Sequence, residues 1–170
     1  IKPIIGFEAY IAPDKRTIRQ TAGPFKNHSY HILLLAENNK GYHNILKLAT
    51  TAYMDGFYYK PRIDKEVLAE HKDGIICLSG CLHSELAMFL SNDRFDDALA
   101  VANFYKELFG NNYYMELHQH GIPEQVKVAK GQIEIHKKTG IPLVVTNDVH
   151  YLKKTDARSH DILLCIATNK

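Results

Sequence analysis

Residues 113–146 read YYMELHQHGIPEQVKVAKGQIEIHKKTGIPLVVT, and this stretch decides the fold class. Tyr113 to Leu117 is a short run rich in aromatic and apolar residues, which suits a strand. Pro123 to Lys138 has the length and composition of a helix, opened by a proline in the first turn, where the missing N–H costs nothing. Leu143 to Thr146 (LVVT) is apolar and β-branched, a second strand. Strand, helix and strand in this order form a βα unit.

The same alternation continues outward. Upstream, Gly74 to Ser79 (GIICLS) reads as a buried strand, followed by helical stretches over Ser84 to Leu90 and Phe95 to Phe109, the latter with Leu99, Ala102, Tyr105 and Phe109 on one face. Tyr30 to Ala36 (YHILLLA) is apolar throughout, so burial on both faces is expected. Asn38 to Met54 places Tyr42, Ile45, Leu46, Ala49 and Tyr53 at helical spacing, and Gly56 ends it. Asp64 to His71 suggests a short helix. Pro3 to Ala12 reads as the first strand, and Pro13 to Ser29, with Gly23 and Pro24, as a loop or hairpin. Downstream, a last helix is expected from about Thr155 to Thr168. Repeated βα units of this kind argue for an α/β protein with a mainly parallel sheet, open or closed.

At 170 residues the chain is one domain in size. Its 45% hydrophobic and 24% charged residues exclude a disordered, collagen-like or disulfide-scaffold protein. No apolar run approaches a membrane span. Twenty-one basic against 19 acidic residues give a net charge of only +2, so composition by itself does not predict a phosphate-neutralising protein. Cys77, Cys81 and Cys165 form neither a disulfide framework nor a CxxC zinc pattern, which fits a reducing, cytoplasmic setting. The sequence opens at Ile1 and turns apolar at Ile4, so it is expected to be a piece of a longer chain.

In parallel α/β folds the chemistry gathers at the carboxyl ends of strands. Asp148 and His150 follow the strand LVVT, and residues two apart share a face in extended chain; carboxylate plus imidazole suits zinc, manganese or iron. The competing explanation is a helix cap and a surface loop histidine. Cys81 follows GIICLS and is either a metal-binding or nucleophilic thiol, with His83 and Ser84 close by, or a small buried hydrophobe. Glu8 sits inside an apolar strand, where a carboxylate needs a partner, a metal or a solvent-facing position. His31 opens its strand, as a ligand or as a core histidine. His118 and His120 form another HxH, against a plain polar loop. Phe57, Tyr58, Tyr59, Lys60 and Arg62 suggest either base stacking or, preferably, helix-to-loop packing. Lys137, Lys138, Lys153 and Lys154 read as solvated helix ends. No phosphate-binding glycine loop, serine-hydrolase elbow or Rossmann fingerprint is present.

The blocks IIGFEAYIA (4–12), YHILLLAENNKGYHNILKL (30–48), GFYYKPRID (56–64), IICLSGC (75–81), YYMELHQHGIPEQ (113–125) and VVTNDVHYL (144–152), in this order, resemble the PHP domain of bacterial DNA polymerase III alpha subunits. The resemblance covers essentially residues 1–170. It implies a distorted βα barrel of the PHP type, carrying in its intact members up to three metal ions at one end. Glu8 matches the family's GxE carboxylate and His31 the histidine opening the HLxLLA strand. Cys81 matches the ligand after the SG turn, while Asp148 and His150 match the DxH pair. His83, His118, His120 and His160 carry no role over and are left as supports behind the ligands. The family's HxH motif and the first βα units would precede Ile1, which makes the barrel incomplete.

The resemblance further implies a place in the catalytic subunit of the replicative polymerase, with nucleotide addition assigned to palm carboxylates downstream. The PHP piece itself would be a metal-dependent phosphodiesterase trimming the 3′ end of DNA, or a structural domain that steadies the polymerase and docks a separate exonuclease subunit. Clustered metals, zinc by ligand softness or else manganese, would activate water against phosphorus. The implied partners are DNA, through the parent chain, and replicase subunits such as the exonuclease and the sliding clamp, with no membrane. Two alternatives stand beside this one: a free-standing phosphoesterase acting on an ester such as histidinol phosphate, and a metal-free interaction module.

Overall fold

The computed structural model describes residues 1–19 and 29–169. Six strands form one sheet in the order β3-β1-β2-β4-β5-β6. They are β1 (Gly6–Ile11), β2 (Tyr30–Ala36), β3 (Arg62–Ile63), β4 (Ile75–Leu78), β5 (Tyr113–Leu117) and β6 (Leu143–Val145). β1 is parallel to β3, β4 to β5 and β5 to β6, whereas β2 runs antiparallel to both of its neighbours, β1 and β4. Five strands therefore point one way and β2 alone points back. The sheet is mainly parallel, as expected, and β3 and β6 are its outer strands among the described residues. It is an α/β architecture whose sheet is open among the described residues. The loop expected over Pro13 to Ser29, with Gly23 and Pro24, lies mostly outside the described residues.

The helices are α1 (Asn39–Met54), α2 (Lys65–Glu70), α3 (Glu85–Ser91), α4 (Phe95–Phe109), α5 (Pro123–Thr139) and α6 (Ala157–Thr168). Three start where a side chain satisfies a free backbone N–H: Asn38 accepts from Gly41, Asp64 from Val67 and Ser84 from Ala87. α5 ends at Gly140 with φ 71°, the left-handed position that favours glycine. α1 packs on β2 and β3, while α3, α4 and α5 pack on one another and α4 and α5 on β5. Ile32, Leu34, Leu48, Ile75, Leu86, Ala98, Tyr113, Met115 and Ile135 are buried in one continuous core.

Three expectations change. β2 is buried on one face only: Tyr30, Ile32 and Leu34 point into the core, whereas His31, Leu33 and Leu35 are half-exposed. Helices cover one side of this part of the sheet, and the other side walls a cleft. α1 is rotated from its expected face, because it buries Gly41, Asn44, Ile45, Leu48 and Ala52 and leaves Tyr42, Leu46 and Tyr53 exposed. Backbone approach decides this, since a Cβ on Gly41 would fall 1.7 Å from the Gly74 carbonyl oxygen and Asn44 Nδ2 donates to the Asp73 carbonyl at 2.8 Å. In α4 the buried stripe is Ala98, Val101, Ala102 and Tyr105, with Leu99 and Phe109 half-buried at its edge.

β3 has no counterpart in the sequence reading, being only two residues long. Its Arg62 is 2% exposed, and its guanidinium donates to the carbonyls of Gly56, Arg16 and Ile18 at 3.2, 2.9 and 3.0 Å. In the aromatic segment beside it, Tyr58 packs against the Arg62 guanidinium at 5.0 Å, whereas Phe57 and Tyr59 are exposed. α6 buries none of its residues. No helix among the described residues is long and apolar enough to cross a membrane.

Candidate metal centre

Glu8, His31 and Cys81 reach one point from three strands. On β1, Glu8 stands opposite Leu33 and hence diagonal to His31, which itself stands opposite Tyr10; diagonal neighbours on one face are within reach of long side chains. Because β2 runs backwards, its first residues lie at the end of the sheet where β4 finishes. A strand-opening histidine therefore meets a strand-following cysteine. The turn after β4 closes on β2 through the His31 N–H, which donates to the His83 carbonyl at 3.1 Å. Gly80, at φ 86°, permits the approach, since a Cβ there would lie 2.8 Å from the His31 carbonyl oxygen.

His31 Nδ1 lies 2.8 Å from Glu8 Oε1 and 3.5 Å from Cys81 Sγ. One potential ligand atom from each of the three residues lies within 4.8 Å of the other two. Burial works against charge on His31, but its hydrogen bonds with Cys81 and Glu8 outweigh burial and raise its pKa to about 9. The hydrogen bond from His31 in turn holds the Glu8 carboxyl below its ordinary value, against the opposing effect of burial. A carboxylate, an imidazole and a thiol converging in this way favour a positive charge between them. The donor set fits a divalent transition metal as it fits the proton.

Asp148 and His150 line the same cleft, a space of about 650 Å³ that Glu8, His31, Cys81, His83, His118, His120 and His160 also line. The strand ends at Val145, so the shared face of an extended chain does not bring the pair together. A turn does. Asp148 adopts φ 46°, a left-handed conformation uncommon outside glycine, and His150 Nδ1 bonds back to the Asp148 carbonyl at 2.7 Å. His150 Nδ1 and Asp148 Oδ1 are 4.0 Å apart. The tight three-residue group does not include either of them.

The supporting histidines divide. His118 is buried, its Nε2 2.7 Å from Thr146 Oγ1 and 3.2 Å from Glu116 Oε1, with Nδ1 4.0 Å from Asp148 Oδ2. Its bond to Glu116 raises its pKa despite burial. His120 instead pairs with the Gln125 amide. His83 lies beside the His31 ring at 5.3 Å, and His160 on α6 lies 5.7 Å from the His150 ring. Sequence reasoning missed Glu116 and Thr146. Glu116 is a carboxylate within an apolar strand, the same signal that singled out Glu8.

The fold and the cleft define a class, and the PHP domain family matches residues 1–120. The chain belongs to that family. It is 46% identical over 166 residues to the DNA polymerase III subunit alpha of Thermus aquaticus, 47% over 171 to that of Treponema pallidum and 46% over 170 to that of Deinococcus radiodurans. These alignments take in 98%, 100% and 99% of this chain but only 14%, 14% and 13% of the relatives, so the chain spans about one-seventh of their length.

Proposed function

We propose that residues 1–170 are a PHP domain, in part, of the catalytic alpha subunit of a bacterial replicative DNA polymerase, and that their cleft is a metal-dependent phosphoesterase centre directed at the 3′ end of DNA. The observation that carries this reading is the convergence of Glu8, His31 and Cys81 on one point in a cleft that Asp148 and His150 also line. Glu8, His31 and Cys81 would hold one divalent ion, with Asp148 and His150 presenting ligands from the same cleft. Thiolate and imidazole favour zinc, with manganese second. A divalent ion there would supply Lewis acidity toward a phosphate ester. The chain's own part is to orient these ligands and to admit a nucleotide, for which the cleft volume is ample. His83, His120 and His160, which also line it, would donate hydrogen bonds toward phosphate.

DNA would be met through the longer chain, in the cytoplasm, beside replicase subunits such as a separate exonuclease and a sliding clamp. The free-standing phosphoesterase is not favoured, because the similar proteins are named as polymerase subunits and are several times as long. The test is a primer-trimming assay on the full-length chain, without nucleotides and with zinc or manganese supplied. Metal-dependent shortening of a 5′-labelled primer, lost in an Asp148→Ala, His150→Ala variant that still extends primers, is the expected result. A metal-loaded wild type that leaves the 3′ end intact would remove the nuclease activity and leave a steadying, docking domain.

A further inference from the structure

β5 lies between the two strands whose ends lead into the cleft residues Cys81 and Asp148: Cys81 follows β4 and Asp148 follows β6. In the middle strand stands Glu116, 6% exposed. We infer that Glu116 is a positioning residue that fixes the Cys81 loop and the Asp148 loop relative to each other. The inference rests on the reading that both loops serve one metal centre.

The two carboxylate oxygens divide between the loops. Oε2 accepts the Gly80 N–H at 3.1 Å, one residue before Cys81. Oε1 accepts the Thr146 hydroxyl, two residues before Asp148, and lies 3.2 Å from His118 Nε2. His118 extends the same network, bridging Thr146 Oγ1 at 2.7 Å and setting its other nitrogen 4.0 Å from Asp148 Oδ2. The backbone of Glu116 is anchored independently. Its N–H donates to Ser79 Oγ at 2.9 Å, and its carbonyl accepts from Gln132 Nε2 at 3.0 Å.

A buried carboxylate in a strand core is costly unless donors surround it, and an apolar side chain would fill the space at no such cost. Here the donors come from the two ligand-bearing loops. Since both oxygens are engaged, Glu116 differs from Glu8, which is exposed and turned toward His31. It acts through Cys81 and Asp148. Groups that orient metal ligands in this manner govern affinity by roughly ten- to a hundredfold.

The experiment measures zinc affinity of the full-length chain by competition with a chromophoric chelator, with melting of the metal-free protein alongside. Glu116→Gln keeps the shape but has one acceptor oxygen instead of two, so whichever way its amide turns, one loop loses its acceptor. Its zinc dissociation constant is expected to rise by at least about tenfold at unchanged saturating stoichiometry. Thr146→Val weakens binding in the same direction, and Thr146→Ser, which restores the hydroxyl, rescues it. Gln132→Ala, which removes the hydrogen bond to the Glu116 carbonyl but leaves both carboxylate oxygens and their loop donors in place, lowers the melting temperature without changing affinity. If Glu116→Gln does not fold, the Thr146 pair decides. Wild-type affinity in Glu116→Gln and Thr146→Val would overturn the inference and leave the metal centre standing. An equal loss in Gln132→Ala would overturn it too, as general loosening. A folded wild type that takes up no zinc would refute the metal centre itself, and the inference with it.

Discussion

Glu8 Oε1 and Cys81 Sγ both lie within hydrogen-bonding reach of His31 Nδ1, so a protonated imidazole ties the β1 carboxylate to the thiol that follows β4. The folded pKa of about 9 lies above the ordinary 6.5, so the proton stabilises the fold fully below pH 6.5 and progressively less as pH rises to 9. Urea melts of chelator-treated protein are therefore expected to lose stability across that interval, and a His31→Gln variant should lose most of this dependence. Zinc must displace the same proton, so its affinity should climb as pH rises toward 9. Flat melts and flat affinity over that range would contradict this role for protonated His31. Gly80 makes a second residue-scale prediction. Alanine there meets both a φ of 86° and the His31 carbonyl, and a loss of about 1–3 kcal/mol on chemical denaturation is expected. Stability equal to wild type would mean the turn relaxes freely.

The helices show what patterns along a chain convey. Starts are legible because caps are local: Asn38, Asp64 and Ser84 each lie three residues before the N–H they satisfy. Helix phase is less so. The apolar residues of α1 suggest a face through Tyr42, Leu46 and Tyr53, whereas Gly41 and Asn44 turn the helix onto the Gly74 backbone. Leu48→Ala should accordingly cost about 2–5 kcal/mol, and Leu46→Ala within about 0.5 kcal/mol of nothing. The reverse order in thermal or chemical unfolding would restore the face suggested by periodicity. Direction is the other quantity hidden at this scale. YHILLLA reads as a strand from either end, and only its pairing with β1 and β4 shows that it runs backwards and carries His31 to the Cys81 turn.

For the molecule as a whole, the cleft is the product of strand order, which no local pattern contains. The sequence makes Glu8, His31, Cys81, Asp148 and His150 candidates one at a time through strand-end position and family resemblance. It does not show that three of them converge while Asp148 and His150 reach the cleft through a turn at φ 46°. Glu116 carries the same signal as Glu8, a carboxylate within an apolar strand, but that its donors come from two loops is visible only in the fold. A metal that binds only the folded cleft stabilises it by mass action, so zinc at a hundred times its dissociation constant should add about 2.7 kcal/mol. Addition of chelator should reverse that gain, and an unchanged melting temperature would argue against a bound metal.

On the proposed function, Glu8, His31 and Cys81 together hold a metal ion. Zinc X-ray absorption on the full-length chain, loaded and freed of excess metal, tests it most directly. The expected spectrum contains one sulfur at about 2.3 Å among nitrogen and oxygen ligands near 2.0 Å, and loses the sulfur in Cys81→Ser. A well-folded chain that retains no zinc, or a zinc shell without sulfur, would contradict it.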